Sequence, residues 1–523
     1  MTIKRDQIIP IFLAAASGLL LTAAFPNIGL SICAWFALVP FLAAVKDRRP
    51  LDAFRLGFIM GVVHFISLCY WIEFTMRAYG NLDLWVSIPV LVLMASYLAL
   101  YPAVFGMALA RFCKTPAASL WMVPALWVVL EFGRTHLFSG FPWALLGYSQ
   151  FKILPLIQIA DTTGVYGVSF LIGFVNMALL GILLYFRKQA WKGRWINRPQ
   201  AVGAVILALL LMVSVWGYGQ YRIRQTDAQI KASKHVKIAV VQGNIDQAQK
   251  WDPAYQALTV KKYLRLSAQT KAAEPELIVW PETATPFYFL SNKRLSKLTL
   301  DSIKQNQTDF LIGSPAYLRQ KERTRYLNSS YLVLADGTIA GRYDKAKLVP
   351  FGEYVPFKRW LPFLDKIVAA AGDFKPGRGG VPLVWQGHRI GPQICYEIIF
   401  PQLARNMVQN KAELIINVTN DAWYGRSSAP YQFFSMVVFR AVECRRAVVR
   451  AANTGISGFV DPVGRTHKET KIFSDAAVTH AVPFMHGLSP YVRIGDLFAW
   501  GCLLAVAVMA AIQRFRKTSR SKP

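Results

Sequence analysis

Long apolar blocks joined by short basic loops constrain the fold of this chain more than any other feature. Hydrophobic residues make up 54% of its 523 residues, and charged residues only 17%. A helix needs about 20 consecutive, mostly apolar residues to cross the core of a bilayer. The pattern therefore predicts a membrane protein with a bundle of about eight transmembrane helices, at residues 8–26, 29–45, 56–76, 85–110, 119–133, 164–186, 201–218 and 494–513.

The loops between these blocks alternate in charge. One set of loops and termini carries 18 Lys and Arg residues, whereas the alternate short loops carry only Arg77, Arg134 and Lys152. Because Lys and Arg are enriched in cytoplasmic loops, this bias predicts that both termini are cytoplasmic. The long segment between the last two helices is then extracytoplasmic, and periplasmic in a Gram-negative bacterium. The predicted domains are a membrane domain with seven helices, an outer domain, and an eighth helix with a basic cytoplasmic tail, at 1–218, 219–493 and 494–523.

The outer domain contributes part of the net charge of +30. Segment 219–493 holds 38 Lys and Arg residues against 21 Asp and Glu residues, a balance of +17. Nucleic acid is not expected as a partner of a domain outside the cytoplasm. Anionic lipid headgroups at the bilayer surface are a better partner for a tethered basic domain, and simple solubility is the alternative interpretation.

Past residue 219 the hydrophobic pattern changes to short runs typical of strands. Helical spacing returns at 254–272 and at about 430–446. An Asp336-Gly337 step between two runs predicts a hairpin. Strands that alternate with helices predict a layered α/β domain, and the hairpins argue against a purely parallel sheet. The predicted strands are 236–242, 276–280, 309–313, 331–335, 338–343, 382–385, 389–395, 413–418, 447–452 and 456–460.

Three of these runs end on residues that can act together in catalysis. Glu282 follows a run ending in Trp280-Pro281, Lys345 follows Tyr343-Asp344, and Cys395 ends the run from Arg389. A thiol, a carboxylate and an ammonium are the parts of a nucleophilic acyl-transfer site. Taken singly, Glu282 or Lys345 would more often belong to a surface ion pair. Lys347 is an alternative to Lys345 as the ammonium of this site, and the spacing from Tyr343 favours Lys345.

The other cysteines and the histidines predict no further site. Of six cysteines, only Cys395 and Cys444 lie in the outer domain, and a disulfide between them is the alternative to a reactive Cys395. The seven His residues are scattered, without Cys-x-x-Cys or His-x-x-x-His spacing. Neither a metal nor another cofactor is therefore predicted. In the membrane domain, Glu131 and Arg134 are predicted to form an ion pair, with a polar lining for a lipid headgroup as the alternative.

Longer motifs around the three residues resemble those of the carbon–nitrogen hydrolase (nitrilase) superfamily. The match includes the order of Glu282, Lys345 and Cys395. With eight helices around such a domain, nearly the whole chain resembles the apolipoprotein N-acyltransferase family. Further motifs that carry the resemblance are Val241-Gln242-Gly243-Asn244-Ile245, Leu348-Val349-Pro350-Phe351-Gly352-Glu353-Tyr354-Val355-Pro356, Asn417-Val418-Thr419-Asn420-Asp421-Ala422-Trp423-Tyr424-Gly425 and, in the membrane part, Gly140-Phe141-Pro142-Trp143.

This resemblance implies a fold, a reaction and a set of site residues. The outer domain is expected to be a four-layer α-β-β-α sandwich. The reaction is transfer of a fatty acyl chain from a phospholipid to the α-amino group of the diacylglyceryl-cysteine of an apolipoprotein, at the inner membrane and without a cofactor. Cys395 would form a thioester, with Glu282 as base and Lys345 as oxyanion partner. Supporting or substrate-binding roles are implied for Trp251, Glu353, Tyr396 and Glu397.

Alternative functions and several details stay open at this point. A membrane-tethered amidase or nitrilase would use the same three residues with water as acceptor. A transporter or lipid-binding scaffold is a third possibility, against which the intact Glu282, Lys345 and Cys395 argue. Residues 354–380 are predicted to form a lid, with an ordinary covering loop as the alternative. The chain is expected to act as a monomer.

Overall fold

The computed structural model describes residues 5–320, 323–356 and 373–519. The chain divides into two compact units. The helical unit comprises Met1–Glu73, Asp83–Arg222 and Ile494–Pro523, and the α/β unit comprises Phe74–Leu82 and Ile223–Arg493. The predicted lid at 354–380 lies largely outside the described residues.

Five helices of the described chain are long and apolar enough to cross a membrane. They are Pro50–Cys69, Leu84–Phe112, Pro116–His136, Val165–Phe186 and Arg198–Ala232. The other three predicted spans coincide with shorter apolar stretches, at Ile8–Ala23, Ser31–Val45 and Leu497–Ile512. The remaining helical elements that lie wholly or partly in this unit are Arg5–Ala23, Ser31–Trp35 (3-10), Val39–Val45, Trp71–Gly80, Leu146–Gln150 (3-10), Leu154–Ile157, Ala160–Thr163 and Leu497–Ser519; of these, Trp71–Gly80 belongs to the α/β unit from Phe74 onward.

Two predicted transmembrane spans differ from the helices that the structure contains at these positions. The span 29–45 is a 3-10 helix, Ser31–Trp35, followed by the seven-residue helix Val39–Val45, whose first turn holds a proline. Because proline lacks an N–H and favours the first turn of a helix, it starts a new helix here instead of continuing the old one. The seventh helix extends to Ala232, beyond the predicted end at 218, since residues 220–232 include good helix formers such as Arg, Gln and Lys.

A small cavity of about 40 Å³ lies within the helical unit, lined by His64, Glu131, Arg134 and mainly apolar side chains. Glu131 Oε1 accepts hydrogen bonds from Trp127 Nε1 at 3.0 Å and Leu146 N at 2.6 Å. Glu131 Oε2 and Arg134 Nη1 have no hydrogen-bond partner among the described residues. The expected Glu131–Arg134 ion pair is therefore not formed in the described structure. The cavity suits a few water molecules better than a lipid headgroup.

Most of the described strands build the α/β unit, and the first two form a short hairpin in the helical unit. The strands of the described chain are β1 Ala190–Trp191, β2 Arg194–Trp195, β3 His235–Gln242, β4 Leu277–Val279, β5 Asp309–Gln320, β6 Arg323–Val333, β7 Ile339–Asp344, β8 Leu383–Trp385, β9 His388–Ile394, β10 Leu414–Thr419, β11 Val448–Ala452, β12 Gly458–Val460, β13 Thr466–His467 and β14 Ala476–Pro483. The two six-stranded sheets have the orders β14-β3-β4-β5-β6-β7 and β13-β12-β11-β10-β9-β8. Both sheets are mixed, because parallel strands at the centre are flanked by antiparallel neighbours.

The two sheets pack face to face, with β6 against β9 and β11 against β3. Helices cover the outer faces, so the unit has the predicted order of helix, sheet, sheet and helix. A core of side chains such as Val260, Tyr263 and Trp280 joins the first sheet to its helices. The helical elements of this unit are Gln247–Lys250, Pro253–Ala268, Lys271–Ala273 (3-10), Lys293–Asn306, Cys395–Ile399 (3-10), Pro401–Gln409, Asp421–Tyr424 (3-10), Ala429–Cys444 and Pro490–Ile494.

The sheet topology positions the candidate site. Strand β10 is buried along its whole length and lies parallel to β9 on one side and β11 on the other. Parallel strands end at the same edge of a sheet, so the residues after β9 and β10 emerge side by side. Those residues are Cys395 and Asn420. In the facing sheet, β4 leads through Trp280 to Glu282.

Candidate active site

Cys395 lies at the point where β9 ends and a 3-10 helix begins. Its side chain is buried, and its backbone has φ of 51°, in the left-handed region. A non-glycine residue in this region costs of order 1–3 kcal/mol, and such strain is concentrated at functional sites. The sharp turn presents the thiol beyond the strand end, as in other nucleophile turns between a strand and a helix. Cys395 and Cys444 are both free, so the alternative of a disulfide between them is wrong.

Glu282 lies in the loop after β4 with its carboxylate buried and fully engaged. Oε1 accepts hydrogen bonds from Asn328 Nδ2 at 2.7 Å and Lys345 Nζ at 3.2 Å. Oε2 accepts one from the backbone N–H of Asn420 at 2.9 Å. Three donors from three different segments thus fix the orientation of this carboxylate.

Lys345 joins Glu282 to a second carboxylate. Its side chain is 1% exposed, and Nζ lies 2.9 Å from Glu353 Oε2. The Asn328 amide also bridges the two carboxylates, because its Nδ2 donates to Glu353 Oε1 at 2.9 Å. Lys347, the alternative lysine, points elsewhere, with Nζ 5.0 Å from the centre of the Phe400 ring. The structure therefore brings Lys345, and not Lys347, to Glu282.

Burial and the neighbouring charges shift the pKa values of Glu282, Lys345 and Cys395 in different directions. Burial alone would raise the pKa of Glu282, but Lys345, Asn328 and Lys250 hold that pKa below its ordinary value. Burial would likewise lower the pKa of Lys345, and the charges of Glu282 and Glu353 instead hold it well above its usual range. Burial raises the pKa of the Cys395 thiol to about 12, with a further contribution from the Glu282 charge. At neutral pH the site therefore holds a carboxylate, an ammonium and a neutral thiol.

Glu397 ties the turn at Cys395 to the loop that carries Lys345. Its Oε2 accepts a hydrogen bond from Ile394 N at 2.7 Å. Its Oε1 accepts from Tyr343 Oη at 2.9 Å, Ala346 N at 2.7 Å and Lys347 N at 3.1 Å. One buried carboxylate thus bonds to the residue before Cys395 and to the two residues after Lys345.

Tyr396 and Trp251 differ in their surroundings. The buried Tyr396 ring lies 5.0 Å from the Phe400 ring in an edge-on arrangement. Trp251, directly after the helix Gln247–Lys250, is 45% exposed. A substrate-binding role for either residue stays a prediction. No cluster of three or more His, Cys, Asp or Glu side chains suited to a metal occurs in the described part of the chain.

Sequence reasoning missed three contributors to this cluster. Asn328 lies inside β6, where nothing in its spacing marks it. Asn420 belongs to a quoted motif, but the donor is its backbone N–H, which any residue except proline supplies. Lys250 is buried and donates from Nζ to the backbone oxygen of Glu282 at 3.1 Å. Its one sequence signal is its position just before Trp251.

Comparisons with known proteins identify the family of this chain. A family model described as apolipoprotein N-acyltransferase N-terminal domain matches residues 17–178, and one described as carbon-nitrogen hydrolase matches residues 237–483. An apolipoprotein N-acyltransferase of Geobacter metallireducens is 45% identical over 516 residues, which cover 98% of this chain and 96% of that protein. The chain belongs to the apolipoprotein N-acyltransferase family.

Other apolipoprotein N-acyltransferases match over a similar length. The protein of Methylococcus capsulatus is 33% identical over 513 residues, covering 97% of each chain. That of Pasteurella multocida is 30% identical over 513 residues, covering 97% of this chain and 95% of its own. The predicted family and its carbon–nitrogen hydrolase domain are thereby confirmed. The long apolar helices fit a membrane protein of this family.

Replacing Glu397 by Gln is expected to slow formation of an acyl group on Cys395. The Gln amide nitrogen would face either the donors around Oε1 or the Ile394 N–H, so at least one N–H loses its acceptor. Misplacement of a reacting group by about 1 Å costs about 100-fold in rate, and we expect a loss of about 10- to 100-fold. The measurement is the single-turnover rate of Cys395 acylation, followed by mass spectrometry.

Glu413→Gln is the matched control for this variant. Glu413 is also a largely buried carboxylate, which bonds to His388 Nδ1 at 2.6 Å and Arg389 N at 3.2 Å at the opposite end of β9. Its loss should lower the thermal stability without lowering the acylation rate by more than about threefold, because it lies far from Cys395 along the sheet. Equal acylation rates for Glu397→Gln and the unaltered protein would contradict the positioning role.

Proposed function

We propose that this family member transfers a fatty acyl chain from a phospholipid to the N-terminal amine of a diacylated apolipoprotein, through a thioester on Cys395. The observation that carries the proposal is the buried cluster of Glu282, Lys345 and Glu353 beside a thiol at a strained turn. Full-length similarity to apolipoprotein N-acyltransferases supports the choice of donor and acceptor.

The first half-reaction forms the thioester. The Cys395 thiol is neutral at rest, so its proton must leave as sulfur attacks the ester carbonyl of the phospholipid. Glu282 is ionised and takes this proton, while Lys345 balances the negative charge on the carbonyl oxygen of the tetrahedral intermediate. The carbon–oxygen bond of the ester then breaks, and Glu282 returns the proton to the departing lysophospholipid oxygen.

The second half-reaction passes the acyl chain to the amine. The neutral α-amine of the apolipoprotein attacks the thioester carbonyl, and Lys345 again faces an oxyanion. Glu282 takes one proton from the attacking nitrogen and gives it to sulfur as the carbon–sulfur bond breaks. The products are an amide and the free Cys395 thiol, so Glu282 and Lys345 end each cycle in their starting states. In this scheme Glu353 orients Lys345, and Glu397 orients the loop that carries it.

The membrane arrangement is part of the same proposal. Eight spans would place both termini in the cytoplasm and segment 219–493 on the periplasmic side of the inner membrane. The loop charges support this orientation, with a membrane domain at 1–218 and an eighth helix and basic tail at 494–523. Trp251 and Tyr396 would line the substrate-binding surface, and the chain would act as a monomer.

Mass spectrometry of Cys395 tests the proposed function directly. Purified protein mixed with phospholipid alone should gain one acyl group on the peptide that contains Cys395. Addition of a diacylated lipopeptide should remove this group and yield N-acylated lipopeptide. Cys395→Ala should show neither step, because it lacks the attacking sulfur. Cys444→Ala is the matched control, since Cys444 is another buried free thiol of the same unit, and it should behave as the unaltered protein.

Two results would overturn the proposal. Acylated lipopeptide formed without any acyl group passing through Cys395 would exclude the thioester route. Release of free fatty acid alone, with no acylated lipopeptide, would instead favour the membrane-tethered amidase or nitrilase that uses water as acceptor.

A further inference from the structure

Lys250 is a second buried ammonium beside the proposed base. It ends the short helix Gln247–Lys250 and is 1% exposed. Its Nζ donates a hydrogen bond to the backbone oxygen of Glu282 at 3.1 Å. Within the described residues, this oxygen is the one hydrogen-bond acceptor for its three N–H groups. A buried ammonium with a single neutral acceptor is costly, unless a negative charge lies close by.

The segment that carries Lys250 is fixed to the site. Gln247 Oε1 accepts a hydrogen bond from Asn420 Nδ2 at 2.7 Å, and Asn420 Oδ1 accepts one from Asn453 Nδ2 at 3.0 Å. Asn420 also donates its backbone N–H to the Glu282 carboxylate. The same residue thus holds both the proposed base and the helix that presents Lys250, so this ammonium cannot easily move away from Glu282.

Charge interactions between the two residues favour both ionised forms. Burial lowers the pKa of Lys250 to about 8, and the charge of Glu282 opposes this effect. Lys250 is therefore a cation below about pH 8. In return it lowers the pKa of Glu282, after the larger contributions of Lys345 and Asn328. The charged, titratable and hydrogen-bonding groups that surround Glu282 are Lys345, Lys250, Cys395, Tyr424, the Asn328 amide, the Asn420 N–H and, behind Lys345, Glu353.

We propose that Lys250 is a positioning residue of the acyl transfer reaction, whose ammonium holds Glu282 in the ionised form and anchors its backbone. This inference rests on the proposed function, in which Glu282 takes the proton of Cys395. Lys345 faces the carboxylate of Glu282 and Lys250 its backbone oxygen, so the base lies between two cations. Lys345 also meets the substrate oxyanion, whereas Lys250 acts through Glu282.

The experiment measures the rate of Cys395 acylation by phospholipid vesicles as a function of pH, under single-turnover conditions. Lys250→Gln keeps an N–H donor for the Glu282 oxygen and removes the charge. The pH midpoint below which acylation is lost should rise by about one unit, because a unit charge in a buried site changes a neighbouring pKa by about this much. One pH unit below the original midpoint, the variant should be about tenfold slower than the unaltered protein.

Three further variants separate the effect of the Lys250 charge from the effect of a change in structure. Lys250→Arg keeps the charge, and its midpoint should stay near the original value. Lys261→Met, on the exposed face of the helix Pro253–Ala268, should leave the whole profile unchanged. Lys250→Met takes the place of the Gln variant if the latter does not fold.

An unchanged midpoint in the neutral variants would overturn the role of Lys250, even with a rate that is lower at every pH. An equal shift in Lys250→Arg would overturn it as well, because the effect would not follow the charge. Absence of acyl-Cys395 in the unaltered protein would instead overturn the proposed function and this inference together.

Discussion

Glu282→Gln is expected to abolish acyl transfer and at the same time to make the Cys395 thiol easier to alkylate. In the proposed mechanism this variant has no group to take the thiol proton, and removal of a general base costs about 100- to 10,000-fold in rate. The Glu282 charge also contributes to the raised pKa of Cys395, whereas Lys345 lowers it. Without the carboxylate, Glu282 no longer opposes the attraction of Lys345 for the thiolate, so the pKa of the thiol falls.

The acylation rate should fall while the alkylation rate rises, and both rates are measured on one sample. Single-turnover acylation of Cys395 should fall by at least about 1,000-fold, near the upper part of the range for a lost general base. The rate of alkylation of Cys395 by iodoacetamide should rise, and its pH midpoint should move down. A merely unfolded site would expose Cys444 as well, so equal alkylation of both cysteines would identify that case.

Glu276→Gln is the matched control for this prediction. Glu276 precedes the same strand, β4, but is exposed at its opposite end and accepts a hydrogen bond from Lys237 N at 3.3 Å. Both rates should equal those of the unaltered protein. Acyl transfer by Glu282→Gln within tenfold of the original rate would rule out Glu282 as the base.

The strand pattern of the α/β unit was predictable because most of its strands are buried runs. The predicted strand 413–418 and helix 430–446 are observed as Leu414–Thr419 and Ala429–Cys444. Strand β14, Ala476–Pro483, was missed, since its residues are mostly half-buried and lack a strong apolar run. It pairs with β3 far away in the sequence, and such pairing leaves no local signal.

The extended hairpin of β5 and β6 was also missed in part. The prediction ended the first strand at Gly313, but β5 continues through Ser314-Pro315 to Gln320. Proline disfavours a strand because it cannot donate to the ladder. This extension matters for the site, because β6 carries Asn328, the amide that bridges Glu282 and Glu353. A residue whose role depends on contacts across a sheet is invisible to local patterns.

The ionisable residues were found because each lies at or shortly after the end of a predicted strand. Glu282 and Lys345 follow β4 and β7 of one sheet, whereas Cys395 follows β9 of the facing sheet, so the three residues come from two sheets and not from one sheet edge. They could be grouped from the sequence because the sites of α/β domains lie beyond the carboxyl ends of strands. The same logic could not find Lys250, which lies in a loop helix and reaches the site only through its side chain. It could not choose between Lys345 and Lys347 with certainty either, because both lie in the same loop.

Lys345→Met is expected to lose more than about 1,000-fold in the rate of acyl transfer, for two separate reasons. Removal of one oxyanion partner alone costs about 100- to 1,000-fold. In addition, Glu282 would share the Asn328 amide with Glu353 without a cation between the two side chains, and a like charge nearby disfavours the ionised form of the buried Glu282. The pKa of Glu282 then rises, so part of the base is protonated at neutral pH.

The residual activity of Lys345→Met should therefore depend on pH in a defined direction. Lys345 holds the pKa of Glu282 low, so we expect activity of the unaltered protein to persist to acidic pH. Without Lys345 the ionised base is lost as the pH falls through a higher value, and the remaining rate should increase as the pH is raised. Pre-steady-state acylation of Cys395 between about pH 5 and 9 measures this, a range that covers the raised pKa values of buried carboxyl groups.

Lys347→Met is the control that makes this prediction decisive. It removes a lysine from the same loop, only two residues away, whose Nζ lies over the Phe400 ring. The backbone N–H of residue 347 still donates to Glu397, so the loop keeps its anchor. The variant loses a cation–π contact at a half-buried site, worth about 1 kcal/mol of folding stability, and its acylation rate should stay within about threefold of the original. If Lys347→Met were as slow as Lys345→Met, the ammonium of Lys345 would not be the group that the reaction needs.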